Sequence, residues 1–340
     1  MNLFKAELRR IARRRLTLVF GILLLAGVAG LSIIMASIST KGPSEADLAA
    51  AQAQADEWNE QNPDFRDCVE DESYFEQNPN YSWVETDPEY EGMEHREACE
   101  YFVGGSRAQD YIWTYTFSFE DEAPFVIIGI VVVTGLVMMM LSSSAIGAEW
   151  SSGGMSNLMV WHPNRMRLWG TKLGAALTAC AAAVVVLAVL AFGLLLAAAA
   201  LRGEIGDLDG PWWEETLTYV LRTGVLALGM TVLGASLAML GRHTAIAGGV
   251  IAGYLIIGDL IVQMVSMNLS MKFPERLSLY TWVGAWITGR VELQDWSSMT
   301  LESAGDVMVI TWGEAGLLLG GIVLLFGVLA TWSFQRRDAA

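Results

Sequence analysis

Residues able to do chemistry are few in this chain, and their spacing defeats each reaction they suggest. A phosphate-cradling loop needs Gly-Lys before Ser or Thr, so that backbone amides and a lysine surround the phosphates. The four lysines, Lys5, Lys41, Lys172 and Lys272, all follow residues other than glycine, so the chain carries no such loop. The three histidines, His95, His162 and His243, fall in separate segments, and no His-Glu-x-x-His occurs. That removes a zinc protease. Gly234-Ala235-Ser236-Leu237 lacks the final glycine wanted around an intramembrane serine nucleophile, and Glu214-Glu215 stands at the wrong distance from Arg222 for a membrane metalloprotease. No catalytic residue and no resident cofactor or metal is expected.

The elements around these residues explain the poverty. Of 340 residues, 53% are hydrophobic and only 17% charged, against about 25% charged in soluble domains. The apolar residues form long blocks, and about 20 of them in a row span a hydrocarbon core. Six blocks qualify: 16–38, 123–146, 173–201, 216–240, 244–266 and 311–334. Each must be helical, because lipid leaves the backbone no other partner. The fold class read from this pattern is an all-α polytopic membrane protein with six transmembrane helices. No internal repeat is visible, which sets it apart from inverted-repeat carriers.

Charge orients the spans. Lys5, Arg9, Arg10, Arg13, Arg14, Arg15, Arg165, Arg167, Lys172, Arg242, Arg336 and Arg337 share one side if both termini are cytoplasmic, as the positive-inside rule requires. The protein is expected in the plasma membrane, with a short cytoplasmic tail at 335–340. The first apolar block is too long for the core of a cleaved signal peptide and reads as a retained anchor. Residues 1–15 space Leu3, Phe4, Leu8 and Ile11 among basic residues, which suits a helix lying on membrane lipid.

The other side receives the carboxylates. The net charge is −16, yet residues 41–122 alone hold 22 acidic and 4 basic residues. This segment reads as a small extracytoplasmic domain between helices 1 and 2. Its acidity excludes a nucleic-acid partner. Ser44 is a natural N-cap for a helix over 44–60. Outside the cytoplasm Cys68 and Cys99 are expected to form a disulfide, stabilising by about 3–4 kcal/mol through loop entropy. The last outer loop, 267–310, contains an apolar stretch at 277–289 that is too short to span. An interfacial or re-entrant helix with Trp282, Trp286 and Trp296 at headgroup depth fits it.

Ionisable groups inside spans are expensive and therefore informative. Arg222 in the fourth block and Asp259 in the fifth both fall roughly 10–12 Å below the outer surface at 1.5 Å per residue. They are expected to pair, with Gln263 one turn along from Asp259; Glu314 enters with the sixth block. Such a pair either locks two spans together or lines a substrate path.

The segment 147–172 is the most informative. A plain connector would be polar, whereas this one holds Leu158, Met159, Val160 and Trp161 on the cytoplasmic side, just before Pro163. A short amphipathic helix inserting them into a partner's groove accounts for them. In order and spacing, Glu149, Gly153, Leu158, Pro163, Arg165 and Lys172 resemble the coupling loop of type-2 ATP-binding-cassette (ABC) exporter permeases. Gly154 departs from that pattern, where threonine is usual. The resemblance implies a permease subunit whose ATPase-coupling residues are Glu149, Gly153, Leu158, Met159, Trp161, Pro163 and Arg165. It further implies a separate ABC ATPase that holds ATP and Mg, a second permease copy or homologue as dimer partner, and export of an amphipathic compound by alternating access. A membrane sensor with a ligand-binding outer domain, or an ion-coupled carrier using Asp259 and Glu314, are the competing readings.

Overall fold

The structure is a computed structural model that describes residues 3–81, 83–84, 87, 90, 93–112, 114–161, 164–258, 260–262, 264–265, 272–295 and 306–336. It divides into two compact units, one of residues 1–34, 118–198 and 205–340, the other of residues 35–117 and 199–204.

Helix α1 (Leu3–Ala12) turns Leu3, Phe4, Leu8 and Ile11 inward at helical spacing, with Glu7 buried among them. A break at Arg13–Arg14 leads to α2 (Arg15–Ile38), an apolar helix that buries only Val28 and Ser32.

The acidic unit follows. Helix α3 (Glu45–Gln61) starts at Ser44, whose hydroxyl accepts from Asp47 N while the Asp47 carboxylate accepts from Ser44 N, a complete capping box. This bears out the N-cap read from the sequence. Asn62 closes α3 and caps α4 (Pro63–Glu70), with Pro63 in the first turn, where its missing N–H costs nothing. Two four-residue helices, α5 (Tyr74–Gln77) and α6 (His95–Ala98), follow, then a π-helical turn at Cys99–Gly104 and a 3-10 turn at Ala108–Tyr111. Their core is Phe65, Phe75, Val84, Ala98 and the Cys68–Cys99 disulfide, with S–S 2.12 Å, so the expected bridge is present. Tyr81, Tyr90, His95 and Phe102 stand around the Phe75 ring at centroid distances of 5.8–6.5 Å, the range of favourable edge contacts. The unit's chain ends are knotted at Ser39, whose hydroxyl donates to Arg202 O at 2.8 Å and accepts from Phe117 N at 2.9 Å.

In the other unit, α7 (Phe119–Ser151) is capped by Ser118 and opens with Glu120, Asp121 and Glu122, charges that suit a helix N-terminus. Residues 118–122, read in the sequence as the end of the acidic segment, are thus its cap and first turn. Pro124 cannot bond the carbonyl of Glu120, and the Trp212 indole N–H takes that acceptor instead at 2.9 Å. Short α8 (Gly154–Trp161) separates α7 from α9 (Arg165–Arg202). Next is α10 (Gly210–Gly241), capped by Asp209 and ended by Arg242 in a left-handed conformation. Helices α7 and α10 pack closely because small residues meet. Gly135 lies on Ala227, and a Cβ at Gly234 would collide with the Met139 carbonyl. Ser142 Oγ adds a hydrogen bond to Thr231 O at 3.0 Å.

Helix α11 (Thr244–Gly253) runs into a π-helical turn at Tyr254–Gly258. Then come α12 (Leu279–Thr288), strands β1 (Arg290–Gln294) and β2 (Val307–Thr311), and α13 (Trp312–Arg336). The strands pair antiparallel from Arg290↔Thr311 to Gln294↔Val307, burying Leu293 and Ile310 against Ala285 and Ala315.

Five described helices, α2, α7, α9, α10 and α13, are long and apolar enough to cross a membrane. The chain is mostly helical, but it is not all-α as the sequence suggested. A hairpin occupies part of 267–310 because Val291, Leu293, Met308 and Ile310 alternate with outward-facing neighbours. The block 244–266 is described only in part, as α11 and its π turn. The segment 147–172 is also less of a loop than expected, since α7 continues to Ser151 and α9 begins at Arg165.

Two outcomes follow from this packing. Gly234→Val should destabilise the α7–α10 pair by about 1–3 kcal/mol through overpacking, read as a lowered melting midpoint of the detergent-solubilised protein. Cys68→Ser should cost about 3–4 kcal/mol, read in the full-length chain as lost hydrogen-exchange protection between Phe65 and Phe102.

Candidate coupling site

Four charges from three helices meet at the basic end of the helical unit. Lys172, two turns into α9, has its Nζ 2.8 Å from Glu7 Oε1 on α1 and 2.7 Å from Glu149 Oε2 on α7. Arg10 Nη1 lies 2.8 Å from Glu149 Oε1. Glu7, Glu149 and Lys172 are 7%, 4% and 5% exposed, so the contacts among them are made away from bulk water, while the Arg10 side chain is 45% exposed. Two carboxylates against two cations make the quartet neutral. Burial is tolerable for such charges only when each is paired. Arg14, half-buried beside them, donates to Ala145 O at 3.3 Å. Burial pushes its guanidinium pKa below the ordinary value, while Glu149 pulls it back up.

Beyond Glu149 the chain reverses at Gly153, with φ +69°, a conformation costly for any residue with a Cβ. Helix α8 then lays Met155 and Met159 into a cluster of Ile146, Leu168, Trp169, Met239 and Phe334, with Leu158 packed partly against it. The cluster is pinned by polar bonds. Trp169 Nε1 donates to Thr331 Oγ1 at 3.1 Å, and Arg242 stacks on the Trp150 ring at 4.7 Å. Arg165 Nη1 donates to Gln335 O at 3.0 Å and Phe334 O at 3.3 Å, capping the last carbonyls of α13. Val160 and Trp161 face away and are 79% and 76% exposed.

The residues expected to touch a partner therefore separate. Glu149 is sealed in the charge quartet, Met159 is inside the protein's own core, and Arg165 is spent on the α13 terminus. These three act by holding α8 in place. The reason is periodicity: successive helical residues point about 100° apart, so a run of four apolar residues cannot all face one way. Gly153 forms the turn, Leu158 sits at the boundary, Trp161 is presented, and Pro163 lies outside the described residues. Glu7 and Arg10 were missed. A lone acid on the apolar face of a basic helix, one turn before Arg10, was the available signal.

The intramembrane group resolves differently. Asp259 and Gln263 lie outside the described residues. Arg222 stacks over the Trp312 ring at 5.2 Å, and its carbonyl accepts from Trp286 Nε1 at 2.7 Å. Glu314 is exposed, and its carboxylate accepts from Thr311 N and Thr311 Oγ1, both at 2.9 Å. It caps the first turn of α13, where a helix N-terminus attracts a carboxylate. In the acidic unit, Cys68, His95 and Cys99 come within metal-ligand distance of one another. The disulfide takes up both sulfurs, which leaves no thiolate to bind a metal.

Removing the central cation tests the quartet. Lys172→Met takes from buried Glu7 its close counterion, while Glu149 keeps Arg10, and should destabilise the protein by about 3–5 kcal/mol. Glu7→Gln combined with Lys172→Met removes both charges of the pair and leaves Glu149 with Arg10, so it should recover part of that loss, measured as a thermal-melt double-mutant cycle.

Neither a curated protein nor a solved structure matches the chain significantly. A family described as ABC-2 family transporter protein matches residues 1–339, which is nearly the whole chain and includes every residue of the quartet and of α8. By that match the chain belongs to the ABC-2 transporter family, as a multi-pass membrane subunit.

Proposed function

We propose that this chain is the permease subunit of an ABC exporter and that α8 is the plug by which a separate ATPase grips it. The observation that carries this reading is the exposure of Val160 and Trp161 on a short helix whose opposite side is built into the protein. A large aromatic held rigidly at a surface is the usual anchor of an interface. The basic end of the unit then faces the cytoplasm, and residues 41–117 face outward, where their disulfide persists.

Nucleotide chemistry belongs to the partner, which supplies the ATP and Mg site. ATP-driven closure of two ATPases pulls on two copies of α8. The charge quartet passes that displacement to α1, α7 and α9 together, and a path between two permease copies alternates between sides. The compound moved is amphipathic in this reading.

Trp161→Asp should abolish co-purification of a 1:1 ATPase while leaving the stability, read by thermal melt, within about 0.5 kcal/mol of the parent, as for an exposed site. Met159→Asp, by contrast, should fail to fold. Undiminished ATPase recovery with Trp161→Asp would remove α8 from the interface.

A further inference from the structure

A cavity of about 380 Å³ opens between α1, α2, α7 and α9, with Ile11, Thr17, Gly21, Leu141, Ala183 and Leu187 among its walls. Helix α2 is thinly packed, burying only Val28 and Ser32 along 24 residues. In its first half, α2 faces this space. All the lining side chains are apolar except Thr17, whose buried Oγ1 has no hydrogen-bond partner in the protein. Water needs two to four polar partners to occupy a cavity, and these walls offer one. At hydrocarbon depth the natural filling is an acyl chain.

The rim selects the headgroup. Ala12 and Thr17 both line the cavity, so Arg13, Arg14 and Arg15 stand between them at its edge. Arg10 and Lys172 are committed to Glu7 and Glu149. Arg13 and Arg15 are exposed, while Arg14 is half-buried and reaches Ala145 O, one turn beyond Leu141. Arg13 and Arg15, exposed at the break between α1 and α2 and next in the chain to lining residues of an apolar slot, match a phosphate joined to a hydrocarbon chain. We propose that the cavity is a binding site for one anionic phospholipid of the leaflet that α1 faces. One acyl chain enters between α2 and α9, the phosphate lies on Arg13 to Arg15, and the Thr17 hydroxyl donates to an ester oxygen. The lipid wedges α1 against α2 beside the charge quartet and so steadies the junction that α8 hangs from.

The proposal rests on the membrane placement above but not on ATPase docking. Native mass spectrometry of the full-length protein, titrated with phosphatidylglycerol and with phosphatidylcholine, tests it. Selective retention of one phosphatidylglycerol is expected. Arg13→Gln with Arg15→Gln should weaken it about fivefold per arginine removed, with phosphatidylcholine unaffected. Ala183→Trp should fill the slot and abolish retention; the arginine variants leave the walls intact should that protein misfold. Equal retention of the two lipids overturns the proposal, as does full retention by folded Ala183→Trp. So does a disulfide between two copies carrying Gly21→Cys, which would put a second copy against the slot. ATPase recovery is read on the same samples: its absence beside selective lipid retention overturns the docking reading and supports the lipid site.

Discussion

The structure of the basic end depends on two carboxylates that have no water. Glu7 and Glu149 are buried on different helices, and neither is tolerable there alone. Lys172 touches both, and Arg10 completes the balance. A hydrophobic contact of equal area would allow α1 to slide or rotate. This one does not, because moving any helix by a turn separates a buried charge from its counterion. The quartet therefore sets the register of α1, α7 and α9 together, and α8 inherits its position from the two helices it joins.

Away from that end, a different force holds the helices. Lipid is as apolar as leucine, so the hydrophobic effect does not bring spans together. Helices α7 and α10 associate because Gly135 and Gly234 let backbones approach and Ser142 bonds across to Thr231. Helix α2 has no such device, and it lies off the bundle with a cavity behind it. The contrast gives the unit a tightly packed pair and a loosely attached helix, tied at its start by Arg14 to the Ala145 carbonyl.

Much of this was legible in the chain because lipid imposes a coarse constraint. Five of six expected blocks are long helices, and Ser44 with Asp47 reads as a cap in either setting. Membrane composition does not say where a helix stops after leaving the hydrocarbon, so α7 and α9 ran further than their apolar blocks. Strand β2 was hidden because Val307-Met308-Val309-Ile310 reads as a plain apolar run, whose alternation shows only once β1 is beside it. Glu7 was hidden by company: among six basic residues, an acid looks like surface charge until Lys172 arrives from a helix 165 residues away.

Helix α8 divides a single apolar run between two environments. Leu158, Met159, Val160 and Trp161 are one anomaly in the sequence and two populations in space. Met159 is 9% exposed, and Trp161 is 76% exposed. Had all four turned inward, α8 would be an ordinary cap on the protein's own core, and nothing would ask for a partner. Had all four turned outward, a mobile loop would serve as well as a helix. The observed split requires rigidity on one side and leaves an aromatic unburied on the other, at a cost of about 1.5–3 kcal/mol for a large apolar side chain left in water. Helix α8 is thus anchored by methionines, tethered through Gly153 and Arg165, and still shows a tryptophan at its surface.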